Sequence, residues 1–101
     1  MTQATVSVIV PVFNGAQTLE RSVNSLLDQT LKTLEIILVN DASSDGTGDL
    51  INRLAAKNPQ IKAIHNEQNQ GVHETRLNGL KAAKAPWIGF LDADDIARPA
   101  M

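Results

Sequence analysis

Val6-Ser-Val-Ile-Val-Pro-Val-Phe13 (VSVIVPVF) is apolar at nearly every position and rich in valine. A strand with one wet face alternates apolar and polar residues. A strand covered on both faces does not, so this stretch predicts a buried strand of a parallel sheet. Asn14 and Gly15 end it. From Ala16 the period changes: Leu19, Val23, Leu26 and Leu27 recur at helical spacing, with Glu20, Arg21, Asn24 and Asp28 opposite. That pattern predicts an amphipathic helix ending near Gln29. Leu34 to Val39 (LEIILV) reads as a second strand, stopped by Asn40 and Asp41.

Asp41 to Gly46 is a cluster of turn and capping residues. Leu50, Ile51 and Leu54 then mark a second helix that Asn58 and Pro59 terminate. Ile61 to His65 reads as a third strand, and Gly71 to Lys84 as a third helix with Val72, Leu80 and Ala83 facing inward. Trp87 to Leu91 reads as a fourth strand, with Trp87 in the core. Gly79 weakens its helix by about 1 kcal/mol relative to alanine, which suggests close packing on the sheet. The order is βαβαβαβ. Strands joined through helices run parallel, and right-handed crossovers place helices on both faces. The expected fold is α/β: a Rossmann-like, doubly wound, mostly parallel sheet.

The 101 residues, 43% hydrophobic and 20% charged, suffice for one core and one domain, residues 1–101. Nine Lys and Arg against eleven Asp and Glu give a formal charge of -2, which argues against nucleic acid as a partner. Cysteine is absent, excluding a disulfide framework, a thiolate metal site and cysteine catalysis; the cytoplasm is the default compartment. Apolar runs fall far short of the roughly 20 residues that cross a bilayer, so no transmembrane segment is expected. Met1 to Thr5 lacks the features of a secretory signal.

Open parallel sheets bind ligands beyond the carboxyl ends of their strands. There the first strand ends in Pro11, Val12, Phe13 and Asn14, the second in Asn40 and Asp41, the fourth in Asp92, Ala93, Asp94 and Asp95. If the backbone stays extended past Leu91, Asp92 and Asp94 share a side. Two carboxylates on one side repel unless a cation lies between them, and Mg²⁺ or Mn²⁺ takes hard oxygen ligands together with substrate phosphates. The alternative is a solvated acidic loop.

Asp41 accepts hydrogen bonds only, which suits the donors of a nucleoside; a loop or capping carboxylate is the competing role. Phe13 suits stacking on a base or burial. Arg76 suits a phosphate or plain solvent exposure. Asp45 reads as a helix cap, and His65 and His73 lack a partner histidine at metal-ligand spacing. Neither GxGxxG, GxxxxGK[ST] nor GxSxG occurs, which disfavours dehydrogenases, P-loop NTPases and serine hydrolases.

VSVIVPVFN (Val6 to Asn14), NDASSDGT (Asn40 to Thr47) and FLDADD (Phe90 to Asp95), in this order, resemble the N-terminal half of family 2 glycosyltransferases of the GT-A fold over about residues 6–101. The resemblance implies a nucleotide-diphosphate sugar, a UDP-sugar foremost, bound across the strand ends. Pro11 and Phe13 would flank the base and Asp41 would accept a hydrogen bond from it. Asp92 would lie near the ribose or the metal, and Asp94 would ligate Mn²⁺ or Mg²⁺. In GVHETRLNG (Gly71 to Gly79) Arg76 keeps its spacing to Gly79, but Leu77 intervenes before Asn78.

Family members continue well beyond the acidic motif, so this chain is expected to be a truncated, donor-binding part. The catalytic base would lie past residue 101 and the acceptor is unidentified, which leaves the chain alone inactive. The full-length protein would act in the cytoplasm or at the cytoplasmic face of a membrane. An unpaired sheet edge invites a homodimer. Competing readings are a sugar-phosphate nucleotidyltransferase, which would want a basic, glycine-rich first loop, and a non-catalytic nucleotide-sugar- or Mg²⁺-binding module. A receiver-like domain would want an acidic pair after the first strand.

Overall fold

The branched side chains of Val6–Val12 (β1) and Leu34–Asn40 (β2) favour extended backbone, and the two strands pair in parallel from Val6 with Leu34 to Val12 with Asn40. In this computed structural model, which describes residues 4–28 and 34–95, Ile61–His65 (β3) extends the sheet beyond β2, and Trp87–Phe90 (β4) pairs with the other side of β1. All described pairs are parallel and the strand order is β3-β2-β1-β4. The sheet grows one way from β1 and then jumps to its other side. The switch point therefore lies between β1 and β4, where the crossovers diverge and leave a crevice.

Helices cover both faces, as the sequence led us to expect. Leu19–Leu27 (α1) and Thr47–Lys57 (α2) bury Leu19, Val23, Leu26, Ile51 and Leu54 against Val8, Val10, Val12, Ile36 and Leu38. Gly71–Ala82 (α3) lies over Ile9, Ile37 and Val39 on the opposite face. Its approach depends on Gly79. A Cβ there would lie 2.5 Å from Ile9 Cγ2 and 3.0 Å from Val39 Cγ2, closer than packed carbons tolerate.

Three expectations about α3 and β4 need correction. Val72 and Leu80 are 55% and 41% exposed, because α3 turns Thr75 and Gly79 to the sheet, both buried and one turn apart. The helix also stops at Ala82: Ala83 is extended, and the Lys84 amide donates to Glu35 Oε1. Trp87 is 69% exposed, since β4 is an edge strand paired with β1 alone among the described strands. Smaller differences concern boundaries. Residues 16–18 form a turn before α1, with Leu19 N–H on the Gly15 carbonyl at 2.9 Å, and Gln29 lies outside the described residues.

At the amino ends of the strands a buried charge holds the α3–β4 connection. Glu35 Oε1 accepts from Ser7 Oγ at 2.7 Å and from the Lys84 amide at 3.1 Å, Ser7 Oγ accepts from the Ala85 amide, and Lys62 Nζ pairs with Glu35 Oε2. Burial alone would raise the Glu35 pKa, but the donors Lys62, Ser7 and the Lys84 amide outweigh it and hold the value below the ordinary 4.5. A lowered pKa means that this stabilisation is complete above the ordinary value and lost as pH falls through the folded one. Glu35→Gln is expected to cost about 1–3 kcal/mol at neutral pH and to flatten the acid limb below pH 4.5, both measured by urea unfolding.

Candidate functional site

The loops after β1 and β2 are clasped together. Asn14 and Ala42 adopt left-handed backbone with φ of 51° and 59°, which costs about 1 kcal/mol or more each for a side-chain-bearing residue. Their neighbours offset that cost. Asn14 N–H donates to Ser43 Oγ at 2.9 Å, and Asn14 Oδ1 accepts from the Ser44 amide at 2.8 Å. Gly15 N–H donates to Thr47 Oγ1, and Ala16 N–H donates to Asp45 Oδ2. Asp45 Oδ1 also accepts from the Thr47 amide and hydroxyl at the start of α2. The N-cap itself is Gly46, so Asp45, expected to be the cap, instead holds the first amide of α2 from one residue before it, and the same carboxylate joins the two loops.

Between these loops and α3 lies a cavity of about 70 Å³ lined by Pro11, Val12, Phe13, Asp41, Val72 and Thr75. Phe13, 56% exposed, and Val72 give it apolar sides at the carboxyl end of β1. Asp41 is only 3% exposed. Its Oδ1 accepts from Asn66 Nδ2 at 3.0 Å and the Gln70 amide at 2.8 Å, and its Oδ2 accepts from the Gly71 amide at 3.0 Å. Burial raises the Asp41 pKa, but Asn66, the Gln70 and Gly71 amides and Thr75 lower it by more, so it stays below the ordinary 3.8. Asp41 thus anchors the start of α3, where the helix dipole also favours negative charge. Asp41 also lines the cavity, so the same carboxylate that holds the loop borders the space beside it.

The acidic residues form a second group at the end of β4. The backbone does not stay extended there: Leu91 N–H reaches the Ile9 carbonyl, and a turn closes with Asp95 N–H on the Asp92 carbonyl at 3.0 Å. Ser22, buried on α1, pins the turn by donating to the Ala93 carbonyl at 2.7 Å. Asp92 and Asp94 come together as expected, though through this turn, and Asp95 joins them. One carboxylate oxygen from each lies within 4.8 Å of the others, and all three residues are exposed. Three hard oxygen donors are of the kind that Mg²⁺ or Mn²⁺ takes, and at most one pair of them could stand opposite across such an ion, so the side chains would draw closer together around it.

Arg76, next to Thr75 on α3, reaches from the cavity wall to this group. Its Nη2 lies 3.0 Å from Asp92 Oδ1, and its guanidinium lies 5.9 Å from the Phe90 ring centroid. Pro11, Phe13 and Asp41 therefore share one cavity, while Asp92, Asp94 and Arg76 share a neighbouring cluster that does not line it. Asn66, Thr75 and Ser22 escaped the sequence reading. Thr75 and Ser22 left a signal there, being polar residues at core-facing helical positions; Asn66, in a loop, left none. Asn78 donates to Asn66 Oδ1 and Gln70 Oε1, bracing the loop that holds Asp41. His65 is structural, set between Asn40 and Asn52.

A parallel sheet of this strand order, with a cavity at the carboxyl ends of β1 and β2 and an acidic turn after β4, is the GT-A arrangement of α/β domain. The family described as Glycosyl transferase family 2 matches residues 7–101, and the chain belongs to it. It is 43% identical over 96 residues to a protein of Bacillus subtilis (strain 168) described as uncharacterized glycosyltransferase EpsJ, a match covering 95% of this chain and 28% of that protein. The structure of S. aureus TarS 1-349 in complex with UDP superposes with a TM-score of 0.85 at 30% identity, covering 94% of this chain and 29% of that one. The mannosyltransferase PcManGT of Pyrobaculum calidifontis, in complex with GDP-Man and Mn²⁺, gives 0.85 at 26% identity, with the same coverages of 94% and 29%. The chain thus spans under a third of the length of these similar proteins.

Proposed function

We propose that this chain is the donor-binding part of an inverting glycosyltransferase that takes a nucleotide-diphosphate sugar, a UDP-sugar foremost, together with Mn²⁺ or Mg²⁺. One observation carries the reading: an apolar-walled cavity with a buried carboxylate at its edge stands beside three clustered carboxylates, linked to them by consecutive residues of α3. Phe13 and Pro11 would flank the base, Asp41 Oδ2 would accept from it, and Arg76 would face the diphosphate. Asp94 and Asp92, with Asp95 beside them, would hold the metal, which when bound stabilises negative charge on the departing diphosphate. UDP complexed with TarS, and GDP-Man with Mn²⁺ in PcManGT, support this choice of ligands.

Deprotonation of the acceptor hydroxyl needs a base, which none of the cavity or cluster residues is placed to supply here. We place it, with the acceptor site, in a part of the protein beyond this chain. No described helix is long and apolar enough to cross a membrane, and we assign the protein to the cytoplasm or a cytoplasmic membrane face. Calorimetric titration of the chain with UDP, with and without Mn²⁺, tests the reading. Binding that Mn²⁺ strengthens is expected, and heats identical with and without the ion would remove the metal. The exposed edge of β4, with Trp87 and Phe90, also supports pairing of two copies. Gel filtration would show that as a doubled mass.

A further inference from the structure

We infer that Arg76 is an exchangeable internal cation of the acidic turn, competing with the divalent ion for Asp92 and so making metal binding depend more steeply on the nucleotide. The inference rests on the metal reading above, in which Mn²⁺ and the nucleotide already favour each other, and adds Arg76 as a second source of that coupling. Asp92, Asp94 and Asp95 gather three negative charges within 4.8 Å. Among the described residues, the only ion pair to any of them is the one from Arg76 Nη2 to Asp92 Oδ1, at 3.0 Å. The guanidinium thus offsets part of the repulsion that the turn creates.

Two features make this contact exchangeable. Both side chains are partly exposed, 39% for Arg76 and 53% for Asp92, so the pair is weak by the standard of buried ones. The guanidinium is also incompletely satisfied, because Nε is buried without a hydrogen-bond partner among the described residues. The Phe90 ring lies 5.9 Å away in a cation–π contact, which does not consume N–H donors. Arg76 therefore has spare donors for a second anion, and a diphosphate offers several acceptors in the fork geometry that a guanidinium matches.

A divalent ion arriving alone must displace a positive charge from Asp92 and then sit close to it. When a diphosphate is present, the displaced guanidinium gains a new anionic partner and the opposition is relieved. Linkage requires the effect to be mutual: the nucleotide tightens the metal by the same factor as the metal tightens the nucleotide.

The test is Mn²⁺ binding to the whole chain, followed by electron paramagnetic resonance of the free ion, with and without UDP, for the parent, Arg76→Met and Arg76→Gln. Circular dichroism confirms the fold of each. Without UDP, both variants are expected to bind Mn²⁺ about fivefold more tightly than the parent, the size of an exposed ion pair plus removal of one nearby charge. With UDP the advantage should vanish or reverse, so that the coupling between the ligands is weaker than in the parent. Parent and variants binding Mn²⁺ equally without UDP would overturn the role of Arg76 while leaving the metal site standing. An absence of Mn²⁺ binding in all three proteins would overturn the metal site and the inference together.

Discussion

Asp41→Ala is expected to lower the unfolding free energy by about 2–4 kcal/mol and to abolish measurable UDP binding. The size follows from what the carboxylate does. It is the acceptor for the Gln70 and Gly71 amides and for Asn66 Nδ2, and alanine leaves these donors facing a space that little water enters. Against a typical domain stability of about 5–15 kcal/mol that is a large fraction. Asp41→Asn separates the two roles: it keeps an oxygen for the Asn66 and Gln70 donors but places an NH₂ against the Gly71 N–H. It should lose about half as much stability and still fail to accept from a base. The Asp41 pKa lies below the ordinary 3.8, so its stabilisation is complete above that value and is lost as pH falls through the folded one. Urea unfolding at several pH values, with calorimetry against UDP, reads both effects. Parent-like stability and affinity in Asp41→Ala would remove Asp41 from fold and site alike.

The second large effect concerns the metal. Asp94→Ala should weaken UDP binding in Mn²⁺ at least tenfold, about 1.4 kcal/mol, and leave binding without Mn²⁺ at the parent level, because Asp94 has no described hydrogen bond or ion pair with the rest of the protein. Asp95→Ala, which removes the third carboxylate of the turn, should have a smaller effect of the same kind. Equal affinities for parent and Asp94→Ala in Mn²⁺ would refute the assignment of Asp94 as a ligand.

Much of this architecture was legible in the chain, for identifiable reasons. The apolar runs of β1 and β2, interrupted inside only by Ser7 and Glu35, pointed to central strands, and Gly79, costly in a helix, marked the place where α3 meets Ile9 and Val39. The face of α3 was misread because hydrophobicity was taken as the guide: the residues against the sheet are Thr75 and Gly79, and Val72 lies on the cavity wall. Trp87 was misplaced because an aromatic residue in a short strand reads the same at an edge as at a centre. Asp92 and Asp94 stand together as expected but for a different reason, since a turn held by Ser22 assembles them where an extended strand was expected. Long-range hydrogen bonds of that kind, 71 positions apart in the chain, leave no periodic trace.

The clasp of Asn14 with the Ser43 hydroxyl and the Ser44 amide carries a thermodynamic consequence. With two strained residues already fixed and their loops tied together before any ligand arrives, the entropy of ordering that rim is lost once, when the polypeptide folds, and is not charged again at each encounter. A preorganised rim converts more of its contact energy into affinity.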